Sequence, residues 1–487
     1  MKNNTLILGM LLTSFIFQSC ARNPVSGKKE VVLMSEAQEI AIGKEADPQI
    51  VAQFGLYPDS SLQQFIRQKG HQIAAISHRP NLNYEYKILD SDVLNAFATP
   101  GGYVYFTRGI MAYFNNEAQF AGVLGHETGH ITARHSVKQQ RNALLGQIGI
   151  IAGVIIDSRL AQYAETASQG LQLLFLKYSR DAERQADELG VEYSSKVGYD
   201  AAKMADFFMT LERQSEGTAA AEIPEFLSTH PNPGDRYSKV KQLATEWKTK
   251  LNLTNAIVNR NSYLQRIDGI VYGEDPRQGY LENGVFYHPE LKFQFPVPQG
   301  WNYQNTPEKV QLAPKDGKAI FMLMTAPGKD LQEAAANLLQ QNNLQQLQST
   351  QITVNGLPAI AMVADSKPGQ GQQQQQQQPP IRTLSYFIKY NGLVYLLLGA
   401  CLQADFGTYS PYFTHASEGF SILTDQRKIN KKPERIHIKT INSNITVEQA
   451  LKDYAVPVTR LNELAILNGM KLTDRITPGT MIKILGN

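Results

Sequence analysis

His126, Glu127 and His130 are residues whose types and spacing can do chemistry together. They stand in the run His126-Glu127-Thr128-Gly129-His130, inside a segment, 117–139, whose apolar residues Ala118, Ala121, Val123, Leu124 and Ile131 recur at helical spacing. A helix turns by about 100° per residue, so residues four apart share one face. The two imidazoles can then face a single cation, and a borderline-soft ion such as Zn2+ favours such ligands. Glu127, one residue step around the helix, lies close enough to take a proton from a water activated by that ion. HExxH on a helix is the pattern of metal-assisted peptide hydrolysis. Two hydrogen-bonded histidines in an ordinary buried helix have the same spacing, so the case depends on finding the rest of a metal site.

A catalytic zinc site commonly has three protein ligands and one open position. His135 is about 140° around the helix from His130 and about 180° from His126, so it is expected to point away, at the surface. The longer HExxHxxGxxH pattern fails, because Ala133 stands where Gly is needed and Ser136 where His is needed. The third ligand must come from elsewhere. The best candidate segment is 179–190, Ser-Arg-Asp-Ala-Glu-Arg-Gln-Ala-Asp-Glu-Leu-Gly, where Glu183 and Asp187 are four apart on a second predicted helix. Glu183 can close the zinc site, and Asp187 can hydrogen-bond a ligand imidazole. Alone, such a charge-rich helix is more often a solvated face; paired with HExxH, the balance reverses.

The four motifs HETGH, SRDAERQADELG, NAFATPGG with YVYFTRG, and STHPNPGDR occur in separate parts of 28–250. Together they resemble the HtpX-like and CAAX-prenyl-protease-like family of HExxH zinc metallopeptidases, the gluzincins. The resemblance implies His126, His130 and Glu183 as ligands of one Zn2+, Glu127 as general base and Asp187 as the acid that follows the third ligand. It implies active-site positions for His230 and Arg236. The chain lacks the hydrophobic spans of the integral-membrane branch and so resembles the soluble, BepA-like lipoprotein branch. His230 sits in Thr-His-Pro-Asn-Pro, stiffened by two prolines. It can stabilise an oxyanion, or it can occupy the fourth zinc position and hold the enzyme shut; the sequence leaves both open.

The elements that must position these residues can be read in outline. A chain of 487 residues suggests two to four domains. A net charge of +3 gives no strong steering toward nucleic acid or acidic substrates. Residues 1–19 read as a signal peptide, with Lys2 ahead of an apolar run too short for a membrane span. Phe17-Gln18-Ser19-Cys20 resembles a bacterial lipobox, making Cys20 the lipidated residue, and Ala21 after it resembles an outer-membrane sorting signal. With only Cys20 and Cys401 present, no intramolecular disulfide is expected, and Cys401 reads as a buried small residue.

The expected fold class is α+β and multidomain. A mainly helical zincin-type peptidase domain with a small sheet spans 28–265. Helices are expected at 35–46, 59–77, 201–214 and 237–247, and strands at 84–90 and 96–106, the second broken at Pro100-Gly101-Gly102. The second strand could be an edge that pairs with an extended substrate. The apolar run 143–156 reads as a buried or membrane-facing helix, and 158–176 as a mobile segment beside the site. A small α+β accessory domain spans 280–425, with strands at 319–325, 351–363, 382–390 and 393–400, a glutamine-rich helix at 331–345 and a disordered Gln-rich loop at 369–380. Residues 436–485 resemble a LysM module of βααβ order, a type that binds N-acetylglucosamine-containing glycans such as peptidoglycan.

These readings converge on a lipid-anchored, periplasm-facing zinc endopeptidase. Its expected partners are unfolded or misassembled envelope proteins, the membrane through its anchor, and peptidoglycan through the LysM-like module, with no nucleic acid. The competing reading is a peptidoglycan-bound chaperone or assembly scaffold with a latent protease site. Processing of prenylated proteins is disfavoured by the missing membrane-spanning chamber.

Overall fold

In the computed structural model the described residues are 20–27, 29–31, 34–137, 149–151, 154–156, 160, 178–216, 225–230, 235–367 and 380–487. The architecture is mixed helix and sheet in two compact units. One takes in 1–145, 167–273 and 434–487; the other takes in 146–166 and 274–433. Among the described residues, no helix is long and apolar enough to cross a membrane. The signal-peptide expectation for 1–19, most of the 158–176 segment, the Pro231–Gly234 loop and nearly all of the Gln-rich loop lie outside the described residues.

In the first unit, Cys20–Arg22 (β1) pairs antiparallel with Lys29–Val31 (β2). Ser35 then opens Glu36–Phe54 (α1) with a capping box: its side chain accepts from the Gln38 N–H, and the Gln38 side chain accepts from the Ser35 N–H. The helix runs eight residues beyond the expected 46 and carries Pro48 inside it. Asp59 caps Ser60–Ala75 (α2). A three-stranded sheet follows, with Glu85–Leu89 (β3) parallel to Tyr103–Thr107 (β5), and Ala96–Thr99 (β4) antiparallel to β5 on its other side. β4 is therefore an edge strand. The turn between β4 and β5 needs glycine at both Gly101 (φ 83°) and Gly102 (φ 106°); a Cβ on Gly102 would come within 2.6 Å of the Asn83 carbonyl oxygen.

Arg108–Tyr113 (α3) leads into Glu117–Thr132 (α4), capped by the Asn116 side chain and buried along its whole length. Helices Arg180–Lys196 (α5), Lys203–Ser215 (α6), Glu225–Thr229 (α7) and Arg236–Lys250 (α8) complete the surroundings of α4. The apolar sides of these helices and the sheet meet in one core that includes Phe106, Phe114, Phe120, Leu124, Tyr193, Phe207 and Phe226.

α4 stops at Thr132, seven residues short of the expected end. Ala133 caps it, and Arg134 takes the left-handed conformation (φ 57°), which turns the chain out of the helix. The guanidinium of Arg134 is held by Glu39 Oε2 at 3.0 Å and by the Met34 carbonyl at 2.9 Å, which anchors this turn. This break overturns the placement of His135, as described below.

α4 and α5 pack through glycine. A Cβ added to Gly125 would lie 2.9 Å from the Gly190 carbonyl oxygen, and one added to Gly190 would lie 3.0 Å from the His126 backbone nitrogen. Gly125 and Gly129 thus make a groove in α4 that admits α5, while the bare Gly122 makes room for the Met204 side chain of α6. Gly125→Ala is expected to cost about 1–3 kcal/mol in stability, measured by denaturant unfolding, because the obstacle is backbone and cannot rotate away. It should also weaken metal binding, since it separates Glu183 from His126.

Residues 434–487 belong to this same unit. Arg435–Thr440 pairs antiparallel with Met481–Gly486, and Val447–Asp453 and Leu461–Leu467 are helices, so the order strand, helix, helix, strand is present. The segment has its own small core around Leu451, Leu464 and Ile482. Ile436, Ile466 and Leu467 nevertheless join the core built around α4. The fully buried Lys483 ammonium donates to the carbonyls of Ala112 (2.7 Å), Phe114 (2.8 Å) and Leu467 (3.0 Å). Arg260 donates to the Met481 and Asn115 carbonyls.

The second unit is built on a seven-stranded antiparallel sheet that covers residues 302–402. The single strand expected at 351–363 is a hairpin, Leu344–Val354 and Leu357–Ser366. Asn355 (φ 45°) and Gly356 (φ 83°) form its two-residue turn, the Asn-Gly signal of a tight hairpin. The glutamine-rich helix accordingly ends at Gln341. Cys401 is buried in the last strand of this sheet, and burial pushes its thiol up to about 12. The helix expected over 143–156 is also corrected: Gly149–Ile151 and Val154–Ile156 are a pair of antiparallel strands. A short apolar run rich in Ile and Val suits a strand as well as a helix, and length alone decided the expectation.

Candidate metal centre

α4 presents His126 and His130 from one face, and α5 brings Glu183 against them across the glycine contact. α7 ends at Thr229 and delivers His230 from a third direction. The four side chains offer ligand atoms within 4.8 Å of one another, and all four are buried. His126 Nε2 is 3.0 Å from His130 Nε2 and 3.3 Å from His230 Nδ1. Glu183 Oε1 is 2.9 Å from His230 Nδ1 and 3.4 Å from His130 Nε2.

The support beneath these groups is ionic. Asp187 Oδ1 lies 3.0 Å from His126 Nδ1. A carboxylate can only accept, so the proton sits on Nδ1 and the Nε2 lone pair of a neutral His126 faces the cluster. Arg236 grips Asp187 with two bonds of 2.7 Å, donates to the His230 carbonyl at 3.2 Å, and approaches Glu183 Oε2 at 3.4 Å. The Arg236 guanidinium also lies over the Phe208 ring.

Burial lowers the pKa of His126 and holds His130 well below the ordinary histidine range, so both rings are neutral. Burial opposes ionisation of Glu183, but the charge of His230 and the close approach of the His130 and His230 rings outweigh it and keep the carboxyl well below its usual range. His230 is also desolvated, yet Glu183 and Glu127 raise its pKa. Glu127 is pushed up to about 8 by burial. Neither of its oxygens has a hydrogen-bond partner, and Oε1 is 3.7 Å from His230 Nε2.

These residues fit a zinc ion. The donor set is imidazole nitrogen and carboxylate oxygen, converging at the separations that a small divalent cation spans. Among the described residues, Glu183 Oε2, His230 Nε2 and both oxygens of Glu127 are buried without a hydrogen-bond partner. Buried polar atoms left unsatisfied cost free energy, and an ion with its bound water removes that cost.

Seen against the sequence, His126, His130, Glu183 and His230 meet in one cluster, with Glu127 beside it and Asp187 and Arg236 behind it. His135 is corrected: it is buried, with Nδ1 3.0 Å from His130 Nδ1 and Nε2 3.0 Å from Gln185 Oε1. The angular estimate assumed a continuous helix, and the left-handed Arg134 bends the chain back toward the site. Tyr178 was not anticipated. Its ring stacks on His130 at 3.9 Å between centroids, and its hydroxyl meets Ser136 Oγ at 2.9 Å. Phe226 stacks on His230 at 4.6 Å. The glycines spaced three and four apart in α4 were the available signal for close helix approach; nothing comparable marks Tyr178.

Residues 60–244 match the family model described as Peptidase family M48. All four motifs behind the family resemblance fall inside this matched segment, which is similar to the M48 metallopeptidases. Among individual relatives, the "Beta-barrel assembly-enhancing protease" of Yersinia pestis is 29% identical over 233 residues, covering 46% of this chain and 48% of the relative. The protein of the same name from Escherichia coli (strain K12) is 26% identical over 233 residues, with 46% and 47% covered. The "Mitochondrial metalloendopeptidase OMA1" of Arabidopsis thaliana is 29% identical over 182 residues, with 37% and 36% covered. The chain thus spans about half the length or less of these relatives.

Proposed function

We propose that the protein is a zinc-dependent endopeptidase of the bacterial cell envelope, with His126, His130 and Glu183 as ligands and Glu127 as general base. The observation that carries this reading is the convergence of three buried histidines and Glu183 beside an unpartnered Glu127. Zinc bound there supplies Lewis-acid activation of water and of the scissile carbonyl. Glu127 accepts a proton at its carboxylate and passes it to the leaving amine, a transfer favoured when the base titrates near the working pH. Asp187 and Arg236 hold His126 and Glu183 in register. The position of β4 at the edge of its sheet supports main-chain pairing with an extended substrate, which gives affinity without sequence preference.

His230 takes the fourth donor position in this reading, which makes the described state a closed one. Support comes from its 2.9 Å contact with Glu183 and 3.3 Å contact with His126. Substrate entry then requires His230 to withdraw. The relatives' name, beta-barrel assembly-enhancing protease, favours unassembled or misfolded envelope proteins as substrates. Lipidation at Cys20, attachment to the outer membrane and glycan binding by 436–485 remain part of the same proposal, carried by the sequence motifs alone.

The test uses the purified full chain. One zinc per chain is expected by elemental analysis, with casein hydrolysis that a chelator abolishes and added zinc restores. His230→Ala should keep its zinc and cleave faster than the parent. A parent that binds no metal, or hydrolysis that survives chelation, favours the scaffold reading instead.

A further inference from the structure

His126 has Asp187 to fix its tautomer, whereas His130 has no carboxylate at Nδ1; its neighbour there is His135 Nδ1, at 3.0 Å. The two Nε2 atoms of His126 and His130, 3.0 Å apart, both face the cation position and can both be lone pairs, but two ring nitrogens at hydrogen-bond distance with no cation between them, as at this Nδ1 pair, require that one donate and the other accept. The direction is set at the far side of His135. Its Nε2 lies 3.0 Å from Gln185 Oε1, and an amide oxygen only accepts. The His135 proton is therefore on Nε2, its Nδ1 is the acceptor, and the His130 proton is on Nδ1. That leaves the His130 Nε2 lone pair facing His126 and Glu183.

We propose that His135 and Gln185 form a tautomer relay that orients His130 as a metal ligand, doing with neutral groups what Asp187 does for His126. The inference rests on the zinc-site reading above. Its geometry is consistent throughout: His135 and His130 are both buried, Gln185 is half-buried two residues beyond Glu183 on the same helix, and Tyr178 stacks on His130 to restrict its ring. α5 thereby supplies one metal ligand and the anchor of another. A neutral relay has a chemical consequence. A carboxylate partner makes an imidazole more basic and a stronger donor; His130, lacking one, is the weaker donor of the pair.

His135 and Gln185 are positioning residues, so the test reads the site rather than turnover alone. The experiment compares the parent with His135→Phe, His135→Asn, Gln185→Met and Gln185→Glu. Zinc affinity is measured by chelator competition, the tautomer of His130 by 15N NMR, and folding by thermal unfolding of the metal-free chains. The amide oxygen of Asn can accept where Nδ1 did, and the carboxylate of Glu can accept from His135 Nε2.

The expected result is His130 protonated on Nδ1 in the parent, and a roughly 10–100-fold loss of zinc affinity in His135→Phe. His135→Asn and Gln185→Glu should restore most of it, with Gln185→Met between. His130 protonated on Nε2 in the parent, or equal losses in His135→Phe and His135→Asn, overturns the relay. Unchanged affinity in a folded His135→Phe overturns it too. If His135→Phe does not fold, the Gln185 pair decides alone. A parent that binds no zinc sinks the zinc-site reading itself, which separates the two failures.

Discussion

Glu127→Gln is expected to lower casein hydrolysis by roughly 10²–10⁴-fold, the range typical of a lost general base. Zinc content should stay at the parental value, because Glu127 is not among the residues grouped as metal donors. Glutamine preserves the shape of the side chain but cannot accept and return a proton at neutral pH. The substitution should not harm the fold. Glu127 is fully buried and neither oxygen has a hydrogen-bond partner, so its carboxylate is costly to bury. The metal-free Glu127→Gln chain is therefore expected to melt no lower than the metal-free parent. A loss of zinc together with activity, or a marked drop in melting temperature, would assign Glu127 a structural role. Hydrolysis at the parental rate would remove it from the mechanism.

Asp187→Ala is expected to act through both stability and metal binding. Asp187 and Arg236 are buried and joined by two bonds of 2.7 Å. Removing the carboxylate leaves a buried guanidinium without its main partner, a change that costs about 3–5 kcal/mol in comparable buried pairs. It also frees Nδ1 of His126, which should reduce zinc affinity by about 10–100-fold. Asp187→Asn separates the two effects, since the amide retains an acceptor for His126 but loses the charge that faces Arg236. Denaturant unfolding of the metal-free chains, followed by zinc competition, distinguishes them. Equal stability of Asp187→Ala and parent would mean that the ion pair only balances its own desolvation.

How much of this was legible in the sequence depended on whether a feature is local. His126, Glu127 and His130 are fixed by helical spacing, and Glu183 and Asp187 by the same rule on a second helix. The capping box at Ser35 is visible for the same reason. His135 failed because its position depends on Arg134 adopting a left-handed backbone, and Arg134 is held there by Glu39, 95 residues away. Tyr178 lies against His130 only through tertiary folding. The Asn355-Gly356 turn is a signal in the sequence, but Ile352 and Val354 before it and Leu357 to Val363 after it are strand formers on both sides, so the segment also reads as one continuous strand. The strands at Gly149–Ile151 and Val154–Ile156 show the opposite limit, where an apolar run lacks any period that distinguishes helix from strand.

The sharing of one core by residues 436–485 and the helices around the metal centre has a consequence for biosynthesis. Ile436, Ile466 and Leu467 leave the ribosome some 300 residues after His126 and His130, yet all three are buried in the core that α4 helps to build. Contacts so distant in sequence form slowly, because a long loop must close before they reward the chain. The 274–433 unit, contiguous apart from 146–166, can fold while synthesis continues. The unit that contains α4 cannot finish until the C-terminal residues are available. A nascent or truncated chain that ends before residue 436 therefore carries His126, His130, Glu183 and His230 without the complete core, and the assembly of their cluster is delayed until the rest of the chain has been made.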